Sequence, residues 1–419
     1  MPQIWKRRSQ QHNEVVEEES NNTMSTTTSS VDQSSSCRSG NGVCNNEVVV
    51  VALTNDDVLG DAIPGQQQHF LRRKCYDLLR LNGEPIRFPG SHPVSLDNNN
   101  LEFLRRIDRD YRVTWKTDGT RYMMLINSEG CYLIDRKFNF RKVQVRFPLT
   151  QGNGDFSEST HNLTLLDGEM VIDTYPEANK QVRRYLVFDV MSINGESVIQ
   201  CPFGERWKML EQQVVGPRNL EKQCISQSTD PCYRYDLEPF RVEIKKFWLL
   251  SEITDLLEKF TPKLLHGEDG LIFQGWNDKY VTFTHAELLK WKSHETNSVD
   301  FLVKVFGRAK NPSLYLYEKG RMKCMFGHSV EFRNVQDPSG LSGKIIECSY
   351  SGKNVWCYMR VREDKSTPNS FSTYEKVKRS IEDNITKEVL LDQIREIVEE
   401  KKRVQAEKEL ASGMEKIAI

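Results

Sequence analysis

The chain has 419 residues, which allows two or three domains. Its 58 basic and 59 acidic residues give a net charge of −1, so the molecule as a whole has no basic field to attract nucleic acid. Ten cysteines without a C-x-x-C pair indicate neither a disulfide framework nor a zinc ribbon. The longest purely apolar run, residues 48–53, is too short for a membrane span, so we expect no membrane partner.

Residues 8–46 are rich in Ser, Thr, Asn, Gln and Glu and contain almost no large apolar side chains. Such a segment cannot bury enough surface to become ordered, and we predict a disordered polar tail over residues 1–66. The tetrad WKRR at residues 5–8 could form part of a nuclear localisation patch, although such tetrads are more often merely solvated.

From residue 67 to residue 299 the pattern predicts one domain of short strands and a few helices. Short β-like runs predict strands at 132–134, 163–166, 169–172, 185–190 and 270–274. Helices are expected at 204–213 and 251–259.

After residue 300 the segments shorten, and glycine-bearing turns separate them. Segments 301–306, 314–317, 344–349 and 355–361 predict a small β-barrel over residues 300–383. Residues 384–419 are expected to form a C-terminal helix. Its apolar stripe of Leu390, Ile394, Ile397 and Val398 fades afterwards, which favours docking on the body over a coiled coil.

The most informative segment is TWKTDGTRYMML at residues 114–125. It predicts a strand, a tight turn and a second strand, with Lys116 presented near the turn. A lysine placed in this way can be a covalent nucleophile toward a nucleotide. Alone, K-x-D-G is a weak signal, because a solvated surface turn explains it equally well.

Five further clusters follow in order along the chain: LDGEMV (166–171), YLVFDV (185–190), EDGLIF (268–273), LKWK (289–292) with Asp300 beyond it, and MRVREDK (359–365). Each alone is more often structural, as an acidic turn, a solvent-facing strand or a surface ion-pair patch. Chance does not account for all of them in this order.

Together these motifs resemble the covalent nucleotidyltransferase superfamily, and most closely the animal-type mRNA capping guanylyltransferases. The resemblance spans residues 68–400 and rests on KTDGTRYMMLI, YLIDR, HNLTLLDGEMVID, RYLVFDV, DGLIFQ, LKWKSHETNSVDF and RVREDKSTPN. It implies an α+β fold. A nucleotidyltransferase domain of antiparallel sheets with flanking helices, ligase-type and ATP-grasp-like, would precede an OB-fold barrel.

The resemblance also implies a mechanism and a site. Lys116 would attack the α-phosphate of GTP, release pyrophosphate and hold GMP, while Lys290 and Lys292 would neutralise the phosphate. A lysine amine with its ordinary pKa near 10.4 is neutral in only about one molecule in 2,500 at pH 7, so basic neighbours and desolvation are expected around the nucleophile. Other residues expected to bind the nucleotide are Thr117, Arg121, Arg136, Glu169 (ribose), Phe188 (stacking on guanine), Asp269, Arg362, Asp364 and Lys365.

The same resemblance implies a Mg²⁺ or Mn²⁺ ion near Asp189 and Asp269, because triphosphate oxygens must be shielded from the amine. The second substrate would be the 5′-diphosphate end of nascent mRNA, giving a GpppN cap in the nucleus. The phosphorylated tail of RNA polymerase II is a further expected partner. Animal relatives usually carry an RNA triphosphatase with a His-Cys-x5-Arg loop. No histidine in this chain is directly followed by a cysteine, so we expect guanylyltransferase activity alone.

Two alternatives stay open at the level of the sequence. An ATP-dependent polynucleotide ligase would share the lysine chemistry and differ in the base it accepts. A non-catalytic module that binds RNA or the polymerase tail could keep the fold and lack the reaction. The intact set of Lys116, Glu169, Lys290, Lys292, Arg362 and Lys365 speaks against such a module.

Overall fold

The computed structural model describes residues 52–417 except 84–85, 151–155, 229–231, 293–296, 307–311, 334 and 364. The chain divides into two units, residues 1–51 and residues 52–419. The predicted polar tail up to residue 51, its basic tetrad and Asp364 therefore lie outside the described residues.

The helices in the described residues are α1 (Gly65–Leu78), α2 (Glu102–Arg105), α3 (Phe203–Met209), α4 (Gly216–Ile225), α5 (Ile253–Asp255), α6 (Phe371–Asp383) and α7 (Lys387–Ile417). The strands are β1 (Asp61–Ala62), β2 (His92–Ser95), β3 (Tyr111–Thr117), β4 (Thr120–Asn127), β5 (Gly130–Ile134), β6 (Phe140–Val143), β7 (Pro148–Thr150), β8 (Phe156–Thr160), β9 (Thr164–Tyr175), β10 (Lys180–Ile193), β11 (Glu196–Ser197), β12 (Arg241–Ile244), β13 (Trp248–Leu249), β14 (Glu268–Gly275), β15 (Thr284–Trp291), β16 (Ser298–Lys304), β17 (Ser313–Glu318), β18 (Arg321–Cys324), β19 (Ser329–Glu331), β20 (Ile345–Gly352) and β21 (Val355–Val361).

Sheet A has eight strands in the order β1-β6-β5-β4-β9-β10-β11, with β12 pairing with β10 in parallel. Its central strand β4 is buried on both faces, which explains the unbroken apolar run in its sequence. Met123 and Leu125 pack in one core together with α1 residues such as Leu71. Met124 and Ile126 pack in a second core, together with Leu210 and Val214 from the segment that follows α3.

Sheet B has five strands in the order β13-β3-β14-β15-β2. One face of it is covered by α7, whose Leu390, Ile394 and Ile397 are buried in the same core as Trp115 and Phe273. The expectation that the C-terminal helix docks on the body is therefore confirmed.

A separate six-stranded sheet follows in the order β18-β17-β16-β20-β21-β19, and β7 and β8 form a two-stranded sheet of their own. The six-stranded sheet has its own core around Phe301 and Trp356, against which α6 packs through Tyr374. The α+β fold class is confirmed, whereas the OB-fold topology and the predicted domain boundaries stay predictions.

Three local expectations differ from the structure. Segments 163–166 and 169–172 belong to one continuous strand, β9. Gly168 lies between them, and a glycine is needed there because a Cβ would lie 2.6 Å from the Tyr185 ring. The helix expected at 204–213 continues through a π-helical stretch (Leu210–Val215) into α4, which accepts Pro217 in its first turn. Helices α1, α2 and α6 were not predicted.

The helix expected at 251–259 is present but irregular. A 3₁₀ turn (Leu250–Glu252) leads into α5 and then into a π-helical stretch (Leu256–Phe260). Further 3₁₀ turns lie at Pro176–Ala178, Tyr235–Leu237, Thr261–Lys263 and Pro338–Leu341. Within the described residues, no helix is both long and apolar enough to cross a membrane.

Candidate active site

A pocket lies between sheets A and B. Strands β3, β14 and β15 of sheet B line one side, and strands β4, β9 and β10 of sheet A line the other. Lys116 lies at the end of β3, where the chain leaves sheet B and turns through Asp118 and Gly119 into β4 of sheet A. Gly119 is required at this turn, because an added Cβ would lie 2.4 Å from the carbonyl oxygen of Met170. The predicted strand, turn and strand are thus confirmed, and the turn connects two different sheets.

Asp269, at the start of β14, lies between two lysines. Its Oδ1 is 2.5 Å from Nζ of Lys116, and its Oδ2 is 2.5 Å from Nζ of Lys292. Burial alone would raise the pKa of Asp269, but the charges of the two lysines outweigh it and hold that pKa below its ordinary value. The structure therefore brings three of the predicted residues into one ion-pair cluster.

Two further lysines surround this cluster in a poorly solvated environment. Burial, followed by the charges of Lys292, Lys116 and Arg136, lowers the pKa of Lys290 to about 8. Burial likewise lowers the pKa of Lys245 to about 8, with the charge of Lys116 acting in the same direction. The expectation of basic neighbours and desolvation around Lys116 is therefore confirmed. Lys245 is a basic neighbour that the sequence motifs did not include.

Lys245 was missed by the sequence analysis, although it is 3 % exposed and lines the pocket. Its Nζ donates to Oγ1 of Thr117 over 3.2 Å and lies 5.0 Å from the centre of the Trp115 ring. Oγ1 of Thr117 in turn donates to Oε2 of Glu169 over 2.5 Å. Thr117 thereby links the new cation to the predicted ribose-binding carboxylate. The only sequence signal was a Lys-Lys pair at the end of an apolar segment.

Phe188 and Asp189 both line the pocket although they are neighbours on β10. The alternation of a regular strand would put them on opposite faces, but the β9–β10 register shifts between Val187 and Asp189. This bulge makes Phe188 the extra residue and turns it toward the pocket. Its ring is partly exposed there, and its stacking with a base stays a prediction.

Arg121 lines the pocket but is held by protein groups. Its Nε and Nη2 donate to the two carboxylate oxygens of Asp167 at 3.0 and 2.5 Å, and its Nη1 donates to the carbonyl of Ser91. Asp167 also accepts from the hydroxyl of Tyr280 at 2.6 Å. The guanidinium carbon lies 5.5 Å from the centre of the Phe188 ring. Arg121 therefore supports the pocket wall, and its direct contact with sugar or phosphate stays a prediction.

Asp189, one of the two predicted metal ligands, is paired with a buried arginine. Both oxygens of Asp189 accept from Arg206 at 2.8 Å, and both residues are almost fully buried. Burial raises the pKa of Asp189 despite this partner. Because Asp189 is buried and both of its oxygens bind a buried guanidinium, the structure gives it an anchoring role, and its role as a metal ligand stays a prediction.

Asp269 is the better candidate for a Mg²⁺ ligand, because it is only partly buried and its two partners are lysines predicted to act on the phosphate. Elsewhere in the described residues, ligand atoms of Asp278, His285 and Glu287 lie within 4.8 Å of one another. Arg109 forms ion pairs with both of these acids and Arg106 lies 3.9 Å from Glu287, so two arginines balance the two carboxylates.

The predicted residues on the small β domain lie together at the end of β21. Nη1 of Arg362 is 3.0 Å from Oδ1 of Asp300, and Lys365 contacts the other oxygen of the same carboxylate. Asp300 is 4 % exposed. Arg136 is exposed, lines the pocket, and is close enough to Arg362 for their charges to interact. The two cations of the small domain are thus anchored by one buried acid near the pocket.

The comparisons with known proteins agree with this arrangement. The model of the mRNA capping enzyme catalytic domain matches residues 53–294, and that of the mRNA capping enzyme C-terminal domain matches residues 296–391. A pocket of this kind, with its lysine turn and cation cluster, is therefore that of a capping-enzyme catalytic domain. The chain belongs to the mRNA capping enzyme family.

Individual relatives support the same assignment. The mRNA-capping enzyme of Danio rerio is 36% identical over 77% of this chain and 52% of the relative, and that of Mus musculus is 36% identical over the same shares. The mRNA-capping enzyme subunit alpha of Schizosaccharomyces pombe is 32% identical over 75% of this chain and 81% of the relative. The chain thus spans about half the length of the animal relatives.

Solved structures give a weaker likeness. A mycobacterial DNA ligase D complexed with ATP and MES matches with a TM-score of 0.32 at 12% identity, over 66% of this chain and 94% of that one. A TM-score this low carries no argument about the site.

Proposed function

We propose that this chain is an mRNA guanylyltransferase that transfers GMP from GTP, through a lysine-GMP intermediate, to the 5′-diphosphate end of RNA. The observation that carries the proposal is the position of Lys116. Its side chain lines the pocket between the two sheets, in ion-pair contact with Asp269 and close to the charges of Lys245, Lys290 and Lys292. Anionic phosphate is the ligand such a cluster attracts.

The reaction takes place in two steps. In the first, the neutral amine of Lys116 attacks the α-phosphorus, a nitrogen–phosphorus bond forms while the nitrogen gives up one proton to solvent, and the bond to pyrophosphate breaks. In the second, a terminal phosphate oxygen of the RNA attacks the same phosphorus, the bond to Lys116 breaks, and the amine regains a proton. Lys290 and Lys292 stabilise the charge that develops on the α-phosphate oxygens in both steps.

The remaining pocket residues bind the nucleoside and the leaving group. Phe188 stacks on the base, opposite the apolar side chain of Ile272 on sheet B. Glu169, oriented by Thr117, accepts from the ribose hydroxyls. Arg362 and Lys365 engage the β- and γ-phosphates when the small domain closes, and domain reopening admits the RNA.

Mg²⁺ would be held by Asp269 together with the phosphates of GTP, because this ion prefers one or two carboxylates plus phosphate oxygens. When bound, it would shield the phosphate charge from the attacking amine. We further propose nascent mRNA and the phosphorylated polymerase II tail as partners, and the nucleus as location, in keeping with the family.

Adduct formation tests the proposal. Purified protein is incubated with Mg²⁺ and either α-labelled GTP or α-labelled ATP, and label that survives denaturation is measured. We expect label from GTP only, its loss in Lys116→Ala, and its retention in Lys246→Ala, a matched change at an exposed lysine. Label from ATP would indicate ligase chemistry, and label from neither would indicate a non-catalytic module.

A further inference from the structure

Two hydroxyl groups in the pocket wall are buried without a partner. Oγ1 of Thr114 and Oγ of Ser91 have no hydrogen-bond acceptor or donor within the described residues. Thr114 is 1 % exposed and Ser91 is 7 % exposed, and both line the pocket. A buried hydroxyl without a partner destabilises a protein, so each of these two is of interest as a contact to a ligand.

The position of Thr114 on β3 determines which way its hydroxyl points. Val113 and Trp115 belong to the core behind sheet B, so the alternation of the strand turns Thr114 and Lys116 to the pocket side. Thr117, one residue after Lys116, offers a contrast, because its hydroxyl bonds both Glu169 and Lys245. Of these two threonines of β3, Thr114 has an unpaired hydroxyl and Thr117 has a paired one.

The depth of Thr114 in the pocket indicates which part of the nucleotide it would meet. Two residues of a β-strand cover about 7 Å, so Thr114 lies about 7 Å from Lys116 along β3. Its partner in the register is Ile272, the apolar side chain that faces the pocket across from Phe188. The hydroxyl thus lies beside the apolar surface suited to a flat aromatic ring and away from the β- and γ-phosphates.

We propose that Thr114 is a specificity-determining residue whose hydroxyl hydrogen-bonds the polar edge of the nucleobase. This inference rests on the proposed function, since it assumes that GTP occupies the pocket. A bound base would satisfy the hydroxyl that the protein leaves unpaired.

The test combines a variant with modified nucleotides. Thr114→Val keeps the shape of the side chain and replaces the hydroxyl by a methyl group. We expect it to raise the KM for GTP about tenfold, the effect of one lost hydrogen bond, and to change the rate at saturating GTP much less. Its melting temperature should equal or exceed that of the wild type, because an unpaired polar group has been removed. Thr114→Ser should restore most of the affinity.

The deoxynucleotides 2′-deoxy-GTP and 3′-deoxy-GTP separate base from sugar. If the hydroxyl contacts the base, the rise in KM caused by Thr114→Val is the same with either deoxynucleotide. An unchanged KM for GTP, or an effect that disappears with a deoxynucleotide, would overturn the proposal. Should the valine variant not fold, Thr114→Ala removes the same hydroxyl. Absence of any GMP adduct in the wild type would instead refute the proposed function.

Discussion

Lys245 is a buried cation, and removing its charge should stabilise the protein. Burial lowers its pKa from the ordinary 10.5 to about 8. Since each pKa unit corresponds to about 1.4 kcal/mol, keeping this lysine charged at pH 7 costs about 3 kcal/mol of unfolding free energy. Lys245→Met keeps the length of the side chain but loses the hydrogen bond to Thr117, worth about 1 kcal/mol. The variant should therefore be about 2 kcal/mol more stable.

The pH dependence of this gain has a definite sign. Below the folded pKa of about 8, the lysine is protonated in both the folded and the unfolded state, and the full penalty applies. Between pH 8 and the unfolded value of 10.5, the folded protein sheds the proton first, so the penalty shrinks. The advantage of Lys245→Met should be present at pH 7 and nearly gone at pH 10.

Urea unfolding of wild type and variant at both pH values measures the difference. Lys246→Met serves as the control, because residue 246 is exposed and should change stability by less than about 0.5 kcal/mol at either pH. The methionine variant should also lose GMP-adduct formation, since Thr117 and Glu169 lose their cationic neighbour. A variant less stable than wild type at pH 7, or a gain that persists at pH 10, would refute this account of Lys245.

Two further predictions concern stability. Asp189→Ala should lower the unfolding free energy by about 3–5 kcal/mol, because it leaves Arg206 buried without its carboxylate; unchanged stability together with a raised Mg²⁺ requirement would support the metal role predicted for Asp189. Ile394→Ala should cost about 2–5 kcal/mol because this α7 side chain is 1 % exposed, whereas Val389→Ala on the exposed face should change little. Equal melting temperatures for the two α7 variants would contradict docking of the helix.

The sequence predicted those features that depend on local patterns. Lys116 at its turn, the strands that carry Glu169 and Phe188, and the apolar stripe of α7 all follow from periodicity and turn chemistry. These features can therefore be predicted from the sequence alone, although the family resemblance was needed to assign roles to the motifs. The roles themselves remain proposals.

The features that sequence reasoning missed depend on contacts between distant residues. The pair of Asp189 and Arg206 joins β10 to a helix 17 residues later, and nothing in either segment signals the partner. Lys245 becomes buried only because the strand before it pairs in parallel with β10. The bulge at Phe188 likewise depends on register with β9. Such pairings are set by the sheet as a whole, so local patterns cannot reveal them.

The cations around Lys116 also show how a chain with a net charge of −1 could bind the triphosphate of the proposed substrate. Within the part of the chain that the structure describes, the acids whose charges act on Lys245 and Lys290 are Asp269 and Glu169. The mutual repulsion is visible in Lys290, whose pKa falls partly because Lys292 and Lys116 are close. An arriving triphosphate relieves this repulsion and competes with Asp269 for its two lysines. The local excess of positive charge therefore destabilises the free protein and is compensated when an anion binds. Relief of this repulsion adds to the affinity for an anionic ligand such as the proposed nucleotide.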